Sequence, residues 1–170
     1  MKRRFWLVSG VAAVAAAAGA GWAWRREAGR GAGVPPSLWT MKFLSPGGGE
    51  LSLAGLRGKR LIINFWATWC APCIKELPQF DRFQREYASK GWQVVGLAID
   101  QPEPVRGFLQ RTPVSFPIGL AGMEGADLMI ALGNVHGVLP FTVVLTPDGA
   151  VVQRRVGETT FADLQSWAHA

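Results

Sequence analysis

The two cysteines of this 170-residue chain, Cys70 and Cys73, constrain its fold and chemistry more than any other feature. The apolar run at residues 61–66 before them is typical of a buried strand, and the residues from Cys73 to about Tyr87 have the apolar spacing of a helix. Cys70 is therefore expected at a helix N-terminus, where unpaired backbone N–H groups and the helix dipole favour a thiolate over a thiol. This placement predicts redox chemistry at the pair.

The cysteine count argues against the usual structural roles. Two cysteines cannot form the multi-disulfide framework of a small secreted domain, and they cannot supply the four ligands of a structural zinc site. A disulfide that closes so short a loop also adds little stability through chain entropy. A dithiol that switches between reduced and oxidised forms is the interpretation that remains.

The charge of the chain is unevenly distributed. The formal net charge is +6, and residues 1–30 carry six basic residues and one acidic residue, so that only +1 is left for residues 31–170. A near-neutral globular part does not have the electrostatic character of a nucleic-acid-binding surface. With 49% hydrophobic and 18% charged residues, the composition predicts a packed core.

The N-terminal residues 1–26 have the pattern of a signal-anchor. Basic residues at 2–4 precede 20 uncharged residues, Phe5 to Trp24, and a helix of that length rises about 30 Å, enough to cross a bilayer. We expect a single-pass anchor in the cytoplasmic membrane, with the rest of the chain facing the periplasm or the cell exterior. The alternative is a cleaved signal peptide and a soluble periplasmic protein, because residues 16–18 and 18–20 have the small-x-small pattern of cleavage sites.

The remaining residues divide into a linker and one folded domain. Residues 27–37 are rich in Gly, Ala and Pro and predict a linker, and residues 38–170 form the domain. Periodicity and turn residues predict a hairpin at 39–44 and 50–53, strands at 60–66, 92–99, 141–145 and 150–156, and helices at 73–87, about 104–110, 124–132 and 160–168. This order predicts an α/β fold with a mixed central sheet, helices on both faces and an N-terminal hairpin.

Two segments of the domain resemble the thioredoxin superfamily, and more narrowly its membrane-anchored, exported TlpA/ResA-like branch. The first is N-F-W-A-T-W-C-A-P-C at residues 64–73, followed by E-L-P at 76–78. The second is G-V-L-P-F-T at residues 137–142, which resembles the proline loop of that family, with T-P-D-G following at 146–149. The resemblance covers about residues 39–168 and implies a thioredoxin fold.

The resemblance implies roles for the residues of the first segment. Cys70 would be the exposed attacking thiolate, and Cys73, one turn into the helix, would be the resolving thiol that releases a mixed disulfide. Pro72, with Ala71, would tune the pKa of the thiolate and the redox poise. Trp69 would shape the rim of the site.

The second segment would bind the partner protein. Pro140 would follow a cis peptide bond and lie against Cys70, and the backbone of Leu139 would form hydrogen bonds with an extended chain of the partner. Because only about one X-Pro bond in twenty is cis in folded proteins, the cis assignment depends on the resemblance.

Position 64 departs from the thioredoxin pattern. Thioredoxins carry there a buried Asp that helps to move protons near the second cysteine, whereas Asn64 cannot titrate. Glu76 matches a buried Glu of the TlpA/ResA-like pattern, and a desolvated carboxyl would have a raised pKa and could act as a base for Cys73. The competing interpretation of Glu76 is an ordinary solvated helix residue.

Two other activities are not expected. Copper-delivery relatives of thioredoxin use a C-x-x-x-C pair and a distant His, but the cysteine spacing here is one residue shorter, so we predict no metal at His136. A peroxidase pattern P-x-x-x-T-x-x-C would need Pro and Thr where this chain has Ile63 and Ala67. No soluble cofactor is required for thiol–disulfide exchange.

The sequence therefore predicts a thiol–disulfide oxidoreductase. Because Ala71 and Pro72 place no charge between the cysteines, a protein-disulfide reductase of exported clients is favoured. By resemblance, the clients would be cytochrome c apoprotein or a copper-site cysteine pair, and electrons would come from a membrane protein that carries thiols. The alternative is a non-catalytic redox-sensing or assembly module that binds a partner through the face around Pro140.

Overall fold

The computed structural model describes residues 33–169. The predicted anchor at residues 1–26 and most of the predicted linker lie outside the described residues. Within residues 33–169, no helix has both the length and the hydropathy needed to cross a membrane.

In the part of the chain that the structure describes, seven strands form one mixed sheet in the order β2-β1-β5-β4-β3-β6-β7. Strands β3, β4 and β5 are parallel, whereas β6 pairs antiparallel with β3, β7 with β6, and β1 with both β2 and β5. The strands are β1 (Lys42–Leu44), β2 (Glu50–Ser52), β3 (Arg60–Trp66), β4 (Trp92–Ala98), β5 (Ile118–Leu120), β6 (Phe141–Leu145) and β7 (Val151–Val156). The predicted mixed sheet and the predicted N-terminal hairpin, β1–β2, are confirmed.

Among residues 33–169, four α-helices cover both faces of the sheet. They are α1 (Ala71–Tyr87), α2 (Pro102–Arg111), α3 (Gly122–Ala131) and α4 (Phe161–His169). Buried residues of α1, α2 and α4 belong to one hydrophobic core, and buried residues of α3 belong to the other. The prediction of helices on both faces is confirmed.

Strand β3 is the centre of the domain, and its side chains alternate between the two cores. Leu61, Ile63 and Phe65 belong to the core beneath α3, whereas Ile62 and Trp66 belong to the core beneath α1. All five side chains are fully buried, as expected for a strand that helices cover on both sides. Asn64, which points to the same face as Ile62 and Trp66, is the polar exception.

Several boundaries differ from the sequence prediction for local reasons. The sequence predicts Trp39 in the hairpin, but it lies in a 3-10 helix, Pro36–Thr40, that begins at a proline and in which the Thr40 hydroxyl donates to the carbonyl of Ser37 at 2.9 Å. The N–H of Val34 donates to the carbonyl of Gly149 at 3.3 Å. Packing against the domain thus begins before position 38, within the predicted linker.

Other differences concern short elements and helix ends. Helix α1 begins at Ala71, two residues before Cys73. Pro72 is well suited to the first helical turn, because backbone N–H groups there have no acceptor within the helix and proline lacks this group. Strand β5 is absent from the predicted strands, since its three residues show no period and, unlike β1 and β2, no glycine-rich hairpin loop adjoins it. A capping box begins α4: the N–H of Thr160 donates to the Asp163 carboxylate at 2.9 Å, and the N–H of Asp163 donates to the Thr160 hydroxyl at 3.3 Å.

Candidate active site

The two cysteines form a disulfide where β3 leads into α1. Cys70 is the N-cap residue of α1, and its sulfur is bonded to that of Cys73 at 2.05 Å, with the Cα atoms 5.3 Å apart. Cys70 retains 6% of its surface and Cys73 none. Cys70 is therefore the accessible member of the pair, although it is far less exposed than the sequence suggests.

Exposed apolar side chains lie on the residues that flank Cys70 and on the loop before β6. Trp69 is 69% exposed, and Pro72 is exposed on the first turn of α1. Val135 and Val138, from the loop before β6, are 67% and 47% exposed. Trp69 is thus a surface residue, whereas Trp66, the last residue of β3, is a core residue.

Asp100 holds the loop that carries Trp69 and Cys70. Its carboxylate accepts two hydrogen bonds from Thr68, one from the backbone N–H at 2.8 Å and one from the hydroxyl at 2.5 Å. Its other oxygen accepts the N–H of Gln101 at 2.7 Å. Sequence reasoning missed this contact, because nothing local to either residue links the ends of β3 and β4.

The proline loop lies at the same edge of the sheet as the disulfide. Phe65 and Phe141 are in register between antiparallel β3 and β6, so the end of β3 and the start of β6 meet. The Leu139–Pro140 peptide bond is cis, as the resemblance implied. Leu139 is half-buried and packs against the core that contains both cysteines, and Pro140 is buried.

Two contacts fix the proline loop from outside it. The side chain of Asn134 brackets Val138: its amide donates to the Val138 carbonyl at 2.7 Å, and its oxygen accepts the Val138 N–H at 3.3 Å. The carbonyl of Pro140 accepts the N–H of Gly157 at 2.9 Å. No local pattern in the sequence points to either partner.

Glu76 lies fully buried on α1, one turn after Cys73. Its Oε1 accepts the Asn64 amide at 2.7 Å, and its Oε2 accepts the backbone N–H of Thr159 at 2.7 Å. The interpretation of Glu76 as an ordinary surface residue is therefore wrong, and the buried carboxyl implied by the resemblance is present.

Burial dominates the electrostatics of Glu76. Desolvation raises its pKa from 4.5 to about 7, against the opposing effects of the hydrogen bonds from Thr159 and Asn64. The nearby Glu158 carboxylate also raises this pKa, and Arg155 lowers it. The group can therefore gain or lose a proton near neutral pH, as a general base requires.

The polar cluster extends beyond Glu76 to two threonines. Asn64 also donates to the Thr142 hydroxyl at 3.2 Å, and the hydroxyls of Thr142 and Thr159 are 3.4 Å apart. Asn64, Thr142 and Thr159 are fully buried. The sequence signal for Asn64 is its polarity within an apolar strand, but Thr159 suggests only a helix cap, and Thr142 is indistinguishable from an ordinary strand residue.

Comparison with known proteins identifies the family. A family model described as Redoxin matches residues 34–166. The chain belongs to the Redoxin family. This Redoxin-family chain is 32% identical over 121 residues to a thiol-disulfide oxidoreductase ResA of Bacillus cereus, covering 71% of this chain and 68% of the relative. It is 33% identical over 145 residues to the thioredoxin-like protein YneN of Bacillus subtilis (strain 168), covering 83% and 81%.

Solved structures support the same placement of this Redoxin-family chain. A thiol:disulfide interchange protein of the thioredoxin family from Chlorobium tepidum TLS is 30% identical, with a TM-score of 0.68 over 81% of this chain and 93% of that one. A thioredoxin-related protein from Neisseria meningitidis serogroup B is 38% identical, with a TM-score of 0.62 over 70% and 91%. The fold is thioredoxin-like, and with its C-x-x-C disulfide the chain is a thioredoxin-like redox enzyme of the ResA type.

Proposed function

We propose that this protein is a protein-disulfide reductase that acts on selected exported proteins. The observation that carries the proposal is the Cys70–Cys73 disulfide at the N-terminus of α1, at the sheet edge that also holds the Leu139–Pro140 loop. One cysteine is accessible and its partner is fully buried. This is the arrangement that sequential attack and resolution require.

In the proposed thiol–disulfide exchange, all atoms and electrons are accounted for without a cofactor. The Cys70 thiolate attacks one sulfur of the client disulfide, and the other client sulfur leaves as a thiolate and takes up a proton. Cys73 then loses its proton and attacks the sulfur of Cys70, which releases the second client thiolate. Two electrons pass to the client, and the enzyme is left with the Cys70–Cys73 disulfide seen here.

Net reduction is favoured by the surroundings of the pair. Ala71 and Pro72 carry no charge, and Lys75, the first cation along α1, is bound to Glu158 at 2.8 Å. These residues therefore provide no strong cationic stabilisation of the reduced form, in contrast to strongly oxidising dithiols. A membrane protein that passes electrons across the bilayer through its own thiols would reduce the enzyme again.

The face around the disulfide fits an extended apolar client segment. Trp69, next to Cys70 in the chain, and Val135 and Val138, in the loop that leads to Pro140, are exposed apolar side chains. The backbone of Leu139 would pair with the client chain, with Pro140 and Pro72 shaping the contact. By resemblance, the clients would be cysteine pairs in cytochrome c apoprotein or in a copper site. Residues 1–26 would hold the enzyme at the outer side of the cytoplasmic membrane.

Glu76 would act as the base for Cys73. The two residues are three positions apart on α1 and both are fully buried, so they share a helix face to which water has little access. Because the Glu76 carboxylate can accept a proton near pH 7, it can take the Cys73 proton during resolution.

The pH profile of Cys73 tests this role. In Cys70→Ser protein, the rate of Cys73 alkylation by iodoacetamide should rise with an inflection near pH 7, as Glu76 loses its proton. Adding Glu76→Gln should remove the inflection and lower the rate above pH 7 by about 100-fold. Glu86→Gln is the matched control, since Glu86 is an exposed carboxylate on the same helix. An unchanged profile in the Glu76→Gln protein would exclude Glu76 as the base.

Trapping a mixed disulfide tests the proposed function itself. Cys73→Ser leaves the attacking sulfur of Cys70 but removes the resolving sulfur, so client adducts should accumulate in cells. Non-reducing electrophoresis followed by mass spectrometry would identify them. The adducts should disappear in the Cys70→Ser/Cys73→Ser protein. If no Cys70-dependent adduct formed under several growth conditions, the exchange mechanism would be wrong.

A further inference from the structure

The hydrogen bonds of Asn64 are incomplete on one side. Its Nδ2 donates to Glu76 Oε1 at 2.7 Å and to the Thr142 hydroxyl at 3.2 Å. Its Oδ1 is buried and, within residues 33–169, has no hydrogen-bond partner. An unpaired buried acceptor is costly and calls for an explanation.

The observed orientation of Asn64 suits the ionised form of Glu76. Both carboxyl oxygens of Glu76 accept hydrogen bonds, one from Asn64 and one from Thr159. A neutral Glu76 carries a hydroxyl that must donate to an acceptor. The carboxamide of Asn64, which already faces Oε1, has an unused acceptor at its other end.

We propose that Asn64 is a positioning residue for Glu76, and that its carboxamide reverses its donor and acceptor ends when Glu76 changes protonation state. With ionised Glu76, the amide donates to Oε1, as in the structure. With neutral Glu76, the carboxamide turns by about 180°, and its oxygen accepts the proton carried on Oε1. This inference depends on the proposed role of Glu76 and explains how that carboxyl stays bonded in both states.

The neighbours of Asn64 can follow this reversal. The hydroxyls of Thr142 and Thr159 each donate or accept by rotating about one bond, so Thr142 can accept from the amide in one state and donate to its oxygen in the other. The backbone N–H of Thr159 stays on Oε2 throughout. Among the residues that the structure describes around Glu76, the reversal therefore moves side-chain polar atoms and leaves the backbone in place.

The charged groups near Glu76 are engaged in pairs of their own. Glu158, which faces Glu76 from the loop after β7, is bound to Lys75 at 2.8 Å. Arg155, from the end of β7, is bound to Asp163 of α4 at 3.1 Å. These groups shift the midpoint of the Glu76 titration, but Asn64 is the side chain that donates directly to its carboxylate.

A side-chain NMR titration of the full-length oxidised protein in detergent micelles tests the reversal. The ¹H and ¹⁵N signals of the Asn64 amide should shift between about pH 5 and pH 9 with the same midpoint as the ¹³C carboxyl signal of Glu76. In Glu76→Gln protein they should be independent of pH, and in Glu86→Gln protein they should titrate as in the wild type. A wild-type Asn64 amide that stays constant while Glu76 titrates would overturn the proposal.

A substitution gives a second, independent measurement. Asn64→Leu removes a charge-assisted hydrogen bond from the carboxylate and a weaker, neutral one from the protonated carboxyl, so the midpoint of the Glu76 titration should rise by about one pH unit. Ile62→Val, a buried change on the same strand face, should leave the midpoint in place. Equal midpoints in the two variants would contradict the proposal. If Asn64→Leu does not fold, the wild-type titration decides alone. Client trapping by Cys70 is measured separately, so its outcome does not depend on this result.

Discussion

Cys70→Ser is expected to lower insulin-disulfide reduction by this protein to the uncatalysed rate of the assay. The serine hydroxyl does not ionise near neutral pH and cannot form a mixed disulfide, whereas Cys73 is fully buried and cannot reach a client in its place. The fold should persist, because Ser is close to Cys in size and a disulfide that closes so short a loop adds little stability. The measurement is insulin reduction with dithiothreitol as the electron source.

The control for this experiment is Val152→Ser. Val152 lies on β7 and is 58% exposed, so this variant should reduce insulin at the wild-type rate. If Cys70→Ser and wild-type protein behaved alike, the enzyme assignment would fail, and the non-catalytic binding module would become the better interpretation.

The stability of oxidised Glu76→Gln protein relative to oxidised wild type is expected to be higher at pH 8 than at pH 5. The pKa of Glu76 is raised from 4.5 to about 7 by burial, so the folded state binds this proton more tightly than the unfolded state does. The stabilising contribution is complete below pH 4.5 and is lost as the pH rises through about 7. A shift of this size corresponds to roughly 3 kcal/mol in the free energy of unfolding.

Urea denaturation at pH values from about 5 to 8 measures this linkage. The stability of Glu76→Gln relative to wild type should rise across the series, and that of Glu86→Gln should not. Asp81 and Asp163 have lowered pKa values and remain ionised throughout this range, so they do not contribute. A constant difference between Glu76→Gln and wild type would mean that Glu76 is not protonated in the folded protein.

The local structure that neighbouring residues form together can be predicted from the sequence. The apolar run of β3, the C-x-x-C pair and the first turns of α1 specify their own local structure, because period, capping position and Pro72 all agree. The burial of Glu76 is indicated by the resemblance, since its spacing from Cys73 alone is equally compatible with a solvated helix residue. The resemblance, rather than any local property, indicates that Leu139–Pro140 is cis.

Contacts between distant segments cannot be predicted in this way. Thr68 and Asp100 are in contact because β3 and β4 are parallel neighbours. The sequence around either residue does not indicate the other as its partner. Likewise, Thr142 and Thr159 reach Asn64 and Glu76 only through the sheet order. Single polar residues in strands and loops have many possible partners, and the fold selects among them.

The pairing of β3 with β6 has a consequence for the order of events during folding. Cys70 and Cys73 are neighbours in the chain and can be joined by an oxidant before any tertiary structure exists. Asn64 and Thr142, by contrast, are 78 residues apart, and closing so long a segment is entropically costly and slow. A newly made chain can therefore acquire its disulfide early, but the disulfide and the Leu139–Pro140 loop come to the same sheet edge only after the two halves of the sheet have joined.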